Sequence, residues 1–242
     1  MKKRIGIIMY RGRLLLVALL ICMMGRVAYC EKRSLFSAKQ QRKITPDQAL
    51  KDLIAGNKRF CAHSSKICSS LLKLSKKASK RGQFPKAVIL ACMDSRSIPE
   101  FIFDQSIADI FTLRVAGNVV NDDIFESMEF ATKYAGAKLI VVMGHTQCGA
   151  IKAACECVTS GNLKSLVEAI RPAVAHVKKQ NSDEQIDCND DATLKAVALQ
   201  NVRNMKAHII EKSPVIREML EKGEIRLVGA LHDLRSGVVT FE

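Results

Sequence analysis

Two short segments carry groups that can hold a metal: Cys92-Met93-Asp94-Ser95-Arg96 and Gly144-His145-Thr146-Gln147-Cys148-Gly149-Ala150. Together they offer two thiols and one imidazole. Zinc favours such a Cys₂His set, and catalytic zinc sites keep three protein ligands and leave a fourth position open. If a strand ends at His145 and a helix begins at Cys148, both side chains can face one point, and a helix N-terminus favours a thiolate. Asp94 stands two residues past Cys92, where a carboxylate can ligate the metal or accept a proton from bound water. Arg96 can hold that carboxylate bidentately and keep it off the metal. A structural Cys₂His₂ site lacks its fourth ligand on this reading, because His63, His176, His208 and His232 lie far away in unrelated patterns.

These groups need two strand ends brought side by side. Ala87–Ala91 is a short continuous apolar run, as in a strand buried on both faces, and 110–115, 139–143 and 225–230 repeat the pattern. Helical stretches fall between them at about 122–134, 149–159, 163–179 and 193–211. This alternation predicts an α/β fold with a mainly parallel central sheet and flanking helices, and both motifs follow strand ends, where such sheets gather ligands. Gly237 to Phe241 is expected to add an edge strand. Upstream, Thr45-Pro46-Asp47 opens a helix with a capping residue and a proline at its first position. A basic amphipathic stretch with Leu71, Leu72, Leu74 and Ala78 follows and ends at Arg81-Gly82.

The chain has 242 residues and a formal charge of +14, which first suggests an acidic partner. The charge is unevenly placed. Residues 1–30 carry six Lys/Arg and no acid, and residues 31–81 carry fourteen against three. Residues 82–242 carry eighteen against twenty-one, so the core is slightly acidic. With no basic patch interleaved with aromatics and no base-reading module, nucleic acid is excluded as the partner. Lys2, Lys3, Arg4, Arg11 and Arg13 precede an apolar run of 11 residues, Leu14 to Met24. A bilayer span needs roughly 20 apolar residues and a signal h-region about 7–15, so residues 1–30 read as a signal peptide. Export to the periplasm or the exterior follows, with the membrane involved only through that signal. Residues 31–81 read as a linker, over 31–43, and an N-terminal helical arm; residues 82–242 form the zinc-binding catalytic core. Without the signal, seven cysteines remain, an awkward number for a pure disulfide framework. Cys155 and Cys157 read as helix-surface or buried thiols.

From about Pro46 onward the chain resembles the β-class carbonic anhydrases. The resemblance is carried by Leu53-Ile54-Ala55-Gly56-Asn57-Lys58-Arg59-Phe60, the Cys92–Arg96 segment, Arg114-Val115-Ala116-Gly117-Asn118, the Gly144–Ala150 segment and Asp233-Leu234. It implies reversible hydration of CO₂ to bicarbonate and a proton by zinc-bound hydroxide, with one Zn²⁺ per chain. Zinc lowers the pKa of bound water toward ~7, a value established for a carbonic anhydrase of a different, three-histidine type. Cys92, His145 and Cys148 match the family's metal ligands, and Asp94 and Arg96 match its catalytic dyad. Gln83, Phe111, Phe130 and Gly149 match substrate-facing positions. The resemblance further implies a homodimer or a dimer of dimers, with the N-terminal arm wrapped on the partner.

The chain also departs from that pattern. Ser97 stands where Val is frequent, and Ala108 replaces a common Gly. Ile89 and Ala91 stand where the bicarbonate-inhibited subfamily has Trp and Gly, which predicts an Asp94–Arg96 pair and an open metal position near neutral pH. A hydrolase of carbonyl sulfide or carbon disulfide would share the same motifs. A non-catalytic zinc or redox-sensing protein is disfavoured by the intact Asp94–Arg96 pair.

Overall fold

The computed structural model describes residues 35–65, 71–180 and 186–242. The segment expected to be an export signal, the start of the expected linker and Cys68 lie outside the described residues. Among the described residues no helix is long and apolar enough to cross a membrane.

Five strands form one sheet in the order β2-β1-β3-β4-β5. They are β1 (Ala87–Ala91), β2 (Ile110–Arg114), β3 (Leu139–His145), β4 (Arg226–His232) and β5 (Val239–Phe241). The first four run parallel and β5 pairs antiparallel to β4. Every residue of β1 and β3 is buried, which is why their sequences are continuously apolar rather than alternating.

Alternate side chains of these strands build two cores. Ile89, Ala91, Val141 and Met143 face helix α2 (Pro46–Cys61) and the short α4 (Pro99–Ile102), burying Ala49, Leu53, Ile102 and Phe103. Val88, Leu90, Ile140 and Val142 face the opposite layer. That layer contains α5 (Asp122–Glu129), α8 (Asp191–Lys212) and α9 (Pro214–Glu221). A third apolar cluster joins Cys92 and Cys148 to α6 (Gly149–Cys155), α7 (Lys164–Gln180) and α8. These two thiols therefore stand at the edge of packed core.

The expected strands and the long helices are present with ends shifted by a few residues. Three short helices went unread. Residues 38–43, expected to be linker, form α1 (Ala38–Lys43), because Ser37 and Gln40 make a reciprocal capping box. The buried Gln41 amide also donates to the carbonyls of Pro85 (2.8 Å) and Ala135 (2.7 Å). Helix α4 has four residues, too few for a period to show. Only Ser213 separates α8 from helix α9; it caps α9 and donates its hydroxyl to Glu129 (2.5 Å). The 122–134 stretch splits into α5 and a π-helical turn over Phe130–Tyr134. The basic stretch forms α3 (Leu71–Arg81), with no buried residue. Ala108 adopts φ 67°, a left-handed backbone that suits the Gly it replaces and costs an alanine on the order of 1 kcal/mol.

Cys155, expected to be a helix-surface or buried thiol, forms a disulfide with Cys188 across 33 positions of sequence. Cys155 is the last residue of α6 and Cys188 lies just before the Asp190 cap of α8. The bond thus fastens the far end of the helix that begins at Cys148. Loop-closure entropy at this separation corresponds to about 3–4 kcal/mol. Replacing both residues by Ser should lower unfolding stability by roughly 2–4 kcal/mol in denaturant titration. A phosphine reductant should lower the Tm of the unmodified chain and leave that of the double variant unchanged.

Candidate metal centre

Cys92 directly follows β1, His145 ends β3 and Cys148 caps α6, so adjacent parallel strands deliver all three to one place. Their ligand atoms lie within 4.8 Å of one another and all three residues are buried. The two sulfurs are 3.9 Å apart. A tetrahedron with metal–sulfur bonds of about 2.3 Å has an S–S edge of about 3.8 Å, so the observed spacing is that of two ligands on one zinc.

The imidazole is oriented for the same task. Its Nδ1 donates to the Thr146 carbonyl at 2.8 Å. That bond fixes the tautomer and leaves the Nε2 lone pair free, as metal-ligating histidines require. Nε2 is buried and has no hydrogen-bond partner. A buried nitrogen left this way costs free energy, and a cation among the three ligands removes the cost. The thiols call for the same cation, since two thiolates side by side repel. Cys92 is drawn down to about 4, first by the hydrogen bond from Cys148. Cys148 is pushed up, first by that same bond and then by burial. A dication would allow both to ionise.

Asp94 does not join the ligands. Its Oδ1 accepts from the Arg96 amide (2.9 Å) and Nε (3.0 Å), and its Oδ2 accepts from Arg96 Nη2 (2.8 Å). These bonds come first among the causes that hold its carboxyl well below the usual carboxylate range. Oδ2 still lies only 3.9 Å from His145 Nε2. Arg96 Nη2 also reaches the Gln147 carbonyl, at 3.5 Å.

Several supporting residues carry no obvious chemical signature. Arg114, at the end of β2, donates to the carbonyls of Cys92 (3.1 Å) and Asp94 (2.6 Å). The Gly117 amide donates to Cys92 Sγ at 3.4 Å. Gly117 has φ +64°, and a Cβ there would sit 2.7 Å from Ile170 Cδ1, so no larger residue fits. His232 corrects the reading that no further histidine lies near. It pairs in register with His145 across β3 and β4, and its Nδ1 is 3.1 Å from Ser97 Oγ. Burial first, and then His145, pull it down to about 4, so it is neutral at physiological pH.

Residues 87–239 match the family profile described as carbonic anhydrase. Carbonic anhydrase 2 of Mycobacterium tuberculosis is 32% identical over 201 residues, covering 79% of this chain and 90% of that one. A carbonic anhydrase of Pseudomonas aeruginosa is 30% identical over 198 residues, covering 78% and 85%. The β-carbonic anhydrase CafA of Aspergillus fumigatus shares the fold with a TM-score of 0.61 and 26% identity, covering 80% and 90%. The chain belongs to the β-class carbonic anhydrases.

Within this carbonic anhydrase the substrate-facing positions divide. Gly149 adjoins Cys148 and is exposed, and a Cβ built on it meets nothing within 4 Å. Phe111 and Phe130 line a different place, an apolar groove of about 450 Å³ along β2 with Val88, Leu113 and Ala131. Gln83 is exposed and precedes β1, whereas Cys92 follows it. A single chain of the carbonic anhydrase therefore does not bring Gln83, Phe111 or Phe130 to its own metal ligands.

Proposed function

We propose that this carbonic anhydrase hydrates CO₂ at a zinc ion held by Cys92, His145 and Cys148. The observation that carries the reading is the placement of Asp94 on Arg96, beside the three ligands and not among them. When bound, zinc supplies Lewis acidity that makes a water acidic enough to serve as a nucleophile near neutral pH.

The chain's own residues do the rest. The Cys92 and Cys148 thiolates and His145 Nε2 would hold the ion, while Arg96 keeps Asp94 beside the three ligands and not among them. Asp94 would accept a hydrogen bond from a water bound there and so orient it toward the substrate carbon. Because Arg96 lowers its basicity, Asp94 orients the proton without keeping it. The released proton passes to solvent and buffer, since His232 is 2% exposed and bonded to Ser97.

Stopped-flow CO₂ hydration with metal analysis tests this directly. Asp94→Ala should retain zinc and lose on the order of 10²–10³-fold in kcat/KM. A zinc-loaded unmodified chain without activity on CO₂ would contradict the reading. The Asp94 shift also has a sign: a lowered carboxyl value keeps the ionised form at every pH above the ordinary carboxylate range and yields only as pH falls below it. The rate–pH profile between 5 and 9 should therefore contain no step that disappears in Asp94→Asn.

We also infer that a second copy completes the site. Strand β2 is one of the two edges of the sheet, the other being β5, and such an edge ordinarily needs cover. Exposed Phe130 and Tyr134 stack beside its groove at 6.1 Å. A homodimer, or a dimer of dimers, covers this edge and offers Gln83, Phe111 and Phe130 to the partner's metal centre. Sedimentation equilibrium should give twice or four times the chain mass, and Phe130→Asp should shift it toward monomer. An active monomer would contradict the assignment.

Export is the third part of the proposal. The disulfide suits an oxidising compartment such as the periplasm or the exterior. Cell fractionation should recover the protein outside the cytoplasm, and recovery of active enzyme from cytosol alone would overturn this part.

A further inference from the structure

The two loops that carry the metal ligands and Asp94 meet a single residue of β4. The His232 carbonyl accepts from the Thr146 amide at 3.0 Å, and so holds the loop that runs from His145 to Cys148. The His232 ring, through Nδ1, hydrogen-bonds Ser97 Oγ at 3.1 Å, and so holds the loop that runs from Cys92 to Ser97. The Ser97 amide in turn donates to the Asp94 carbonyl at 3.0 Å, closing the turn that presents Asp94 and Arg96. Ser97 is 1% exposed and His232 2%. The Arg96–Gln147 contact joins the same loops, but it is longer, at 3.5 Å, and the Arg96 side chain is 56% exposed. The buried Ser97–His232 bond is therefore the better-shielded tie between the side carrying Asp94 and the sheet.

Its position has a consequence for the open coordination place. Asp94 Oδ2 is 3.9 Å from His145 Nε2, so a small rotation of the turn brings the carboxylate among the ligands. Arg96 opposes that movement at the exposed end of the turn, and Ser97 can oppose it only at the buried end.

We propose that Ser97 and His232 are positioning residues that keep the Asp94–Arg96 turn in the open arrangement. The inference rests on the carbonic anhydrase reading of the site. Neither residue touches substrate; each acts through the placement of Asp94. A Val side chain at position 97 has no group that can make this bond.

The test uses the full exported chain as Ser97→Val, His232→Phe and His232→Asn variants, the last keeping an amide near the Nδ1 position. Two readouts are taken: CO₂ hydration by the zinc form, and azide binding to the cobalt(II)-substituted form followed by its visible absorption. Ser97→Val and His232→Phe should lose roughly 10–100-fold in kcat with little change in KM, and should bind azide at least about tenfold more weakly. Both should keep the metal content of the unmodified chain, and His232→Asn should stay within about threefold of it in both readouts. Unchanged kcat and azide affinity in Ser97→Val would overturn the proposal. Loss of metal from Ser97→Val would also overturn it, since the pair would then support the ligands and not the turn. Should Ser97→Val fail to fold, Ser97→Ala carries the same comparison. An unmodified chain that binds metal and azide but leaves CO₂ untouched would refute the enzymatic reading alone, and the azide series would still decide the role of the pair.

Discussion

Two buried sulfurs 3.9 Å apart, beside a buried imidazole nitrogen with no partner, are satisfied together by a cation. Most of the architecture around them serves that requirement. The sulfurs come from positions 92 and 148, so only a fold that sets two strand ends together can join them. The parallel pairing of β1 with β3 does so, and the apolar layers on both faces of the sheet hold the pairing in register.

A shell of hydrogen bonds then decides what the centre can do. Arg114 and the Gly117 amide fix Cys92, and the Thr146 carbonyl fixes His145. Arg96 takes up both oxygens of Asp94. With Asp94 as a fourth ligand, the same three residues would make a closed structural site; with Asp94 on Arg96 they leave a place for water. The difference between a closed site and an open one thus lies in one turn of chain, Asp94 to Ser97, which hydrogen bonds hold at both ends. The Cys155–Cys188 disulfide braces the other side by fastening the end of the helix that starts at Cys148.

What the sequence made legible follows from distance along the chain. The strands at 87–91 and 139–143 could be read because burial on both faces leaves an uninterrupted apolar run. The ligand set could be read because residues 92–96 and 144–150 are each compact, and because strand ends in a parallel sheet share one side. Pairings that span long separations left no such trace. His232 meets His145 only through the register of β3 with β4, and Cys188 meets Cys155 only after α7 has returned the chain. Helix α1 hid in a polar segment because its order comes from a capping box and from the Gln41 side chain, and neither has a period. Phe111 and Phe130 were legible as matching positions, but their place in a groove along β2, away from the chain's own Cys92, His145 and Cys148, was not, since sequence does not show that β2 is an edge.

The claim on which the rest depends is that the metal is held by three protein ligands while Asp94 stays on Arg96. A crystal structure of the zinc-loaded protein at pH 7–8 tests it most directly. It should show the metal on Cys92, His145 and Cys148, solvent in the fourth position, and Asp94 still bidentate on Arg96. Asp94 bound to the metal at that pH, with Arg96 released, would contradict it.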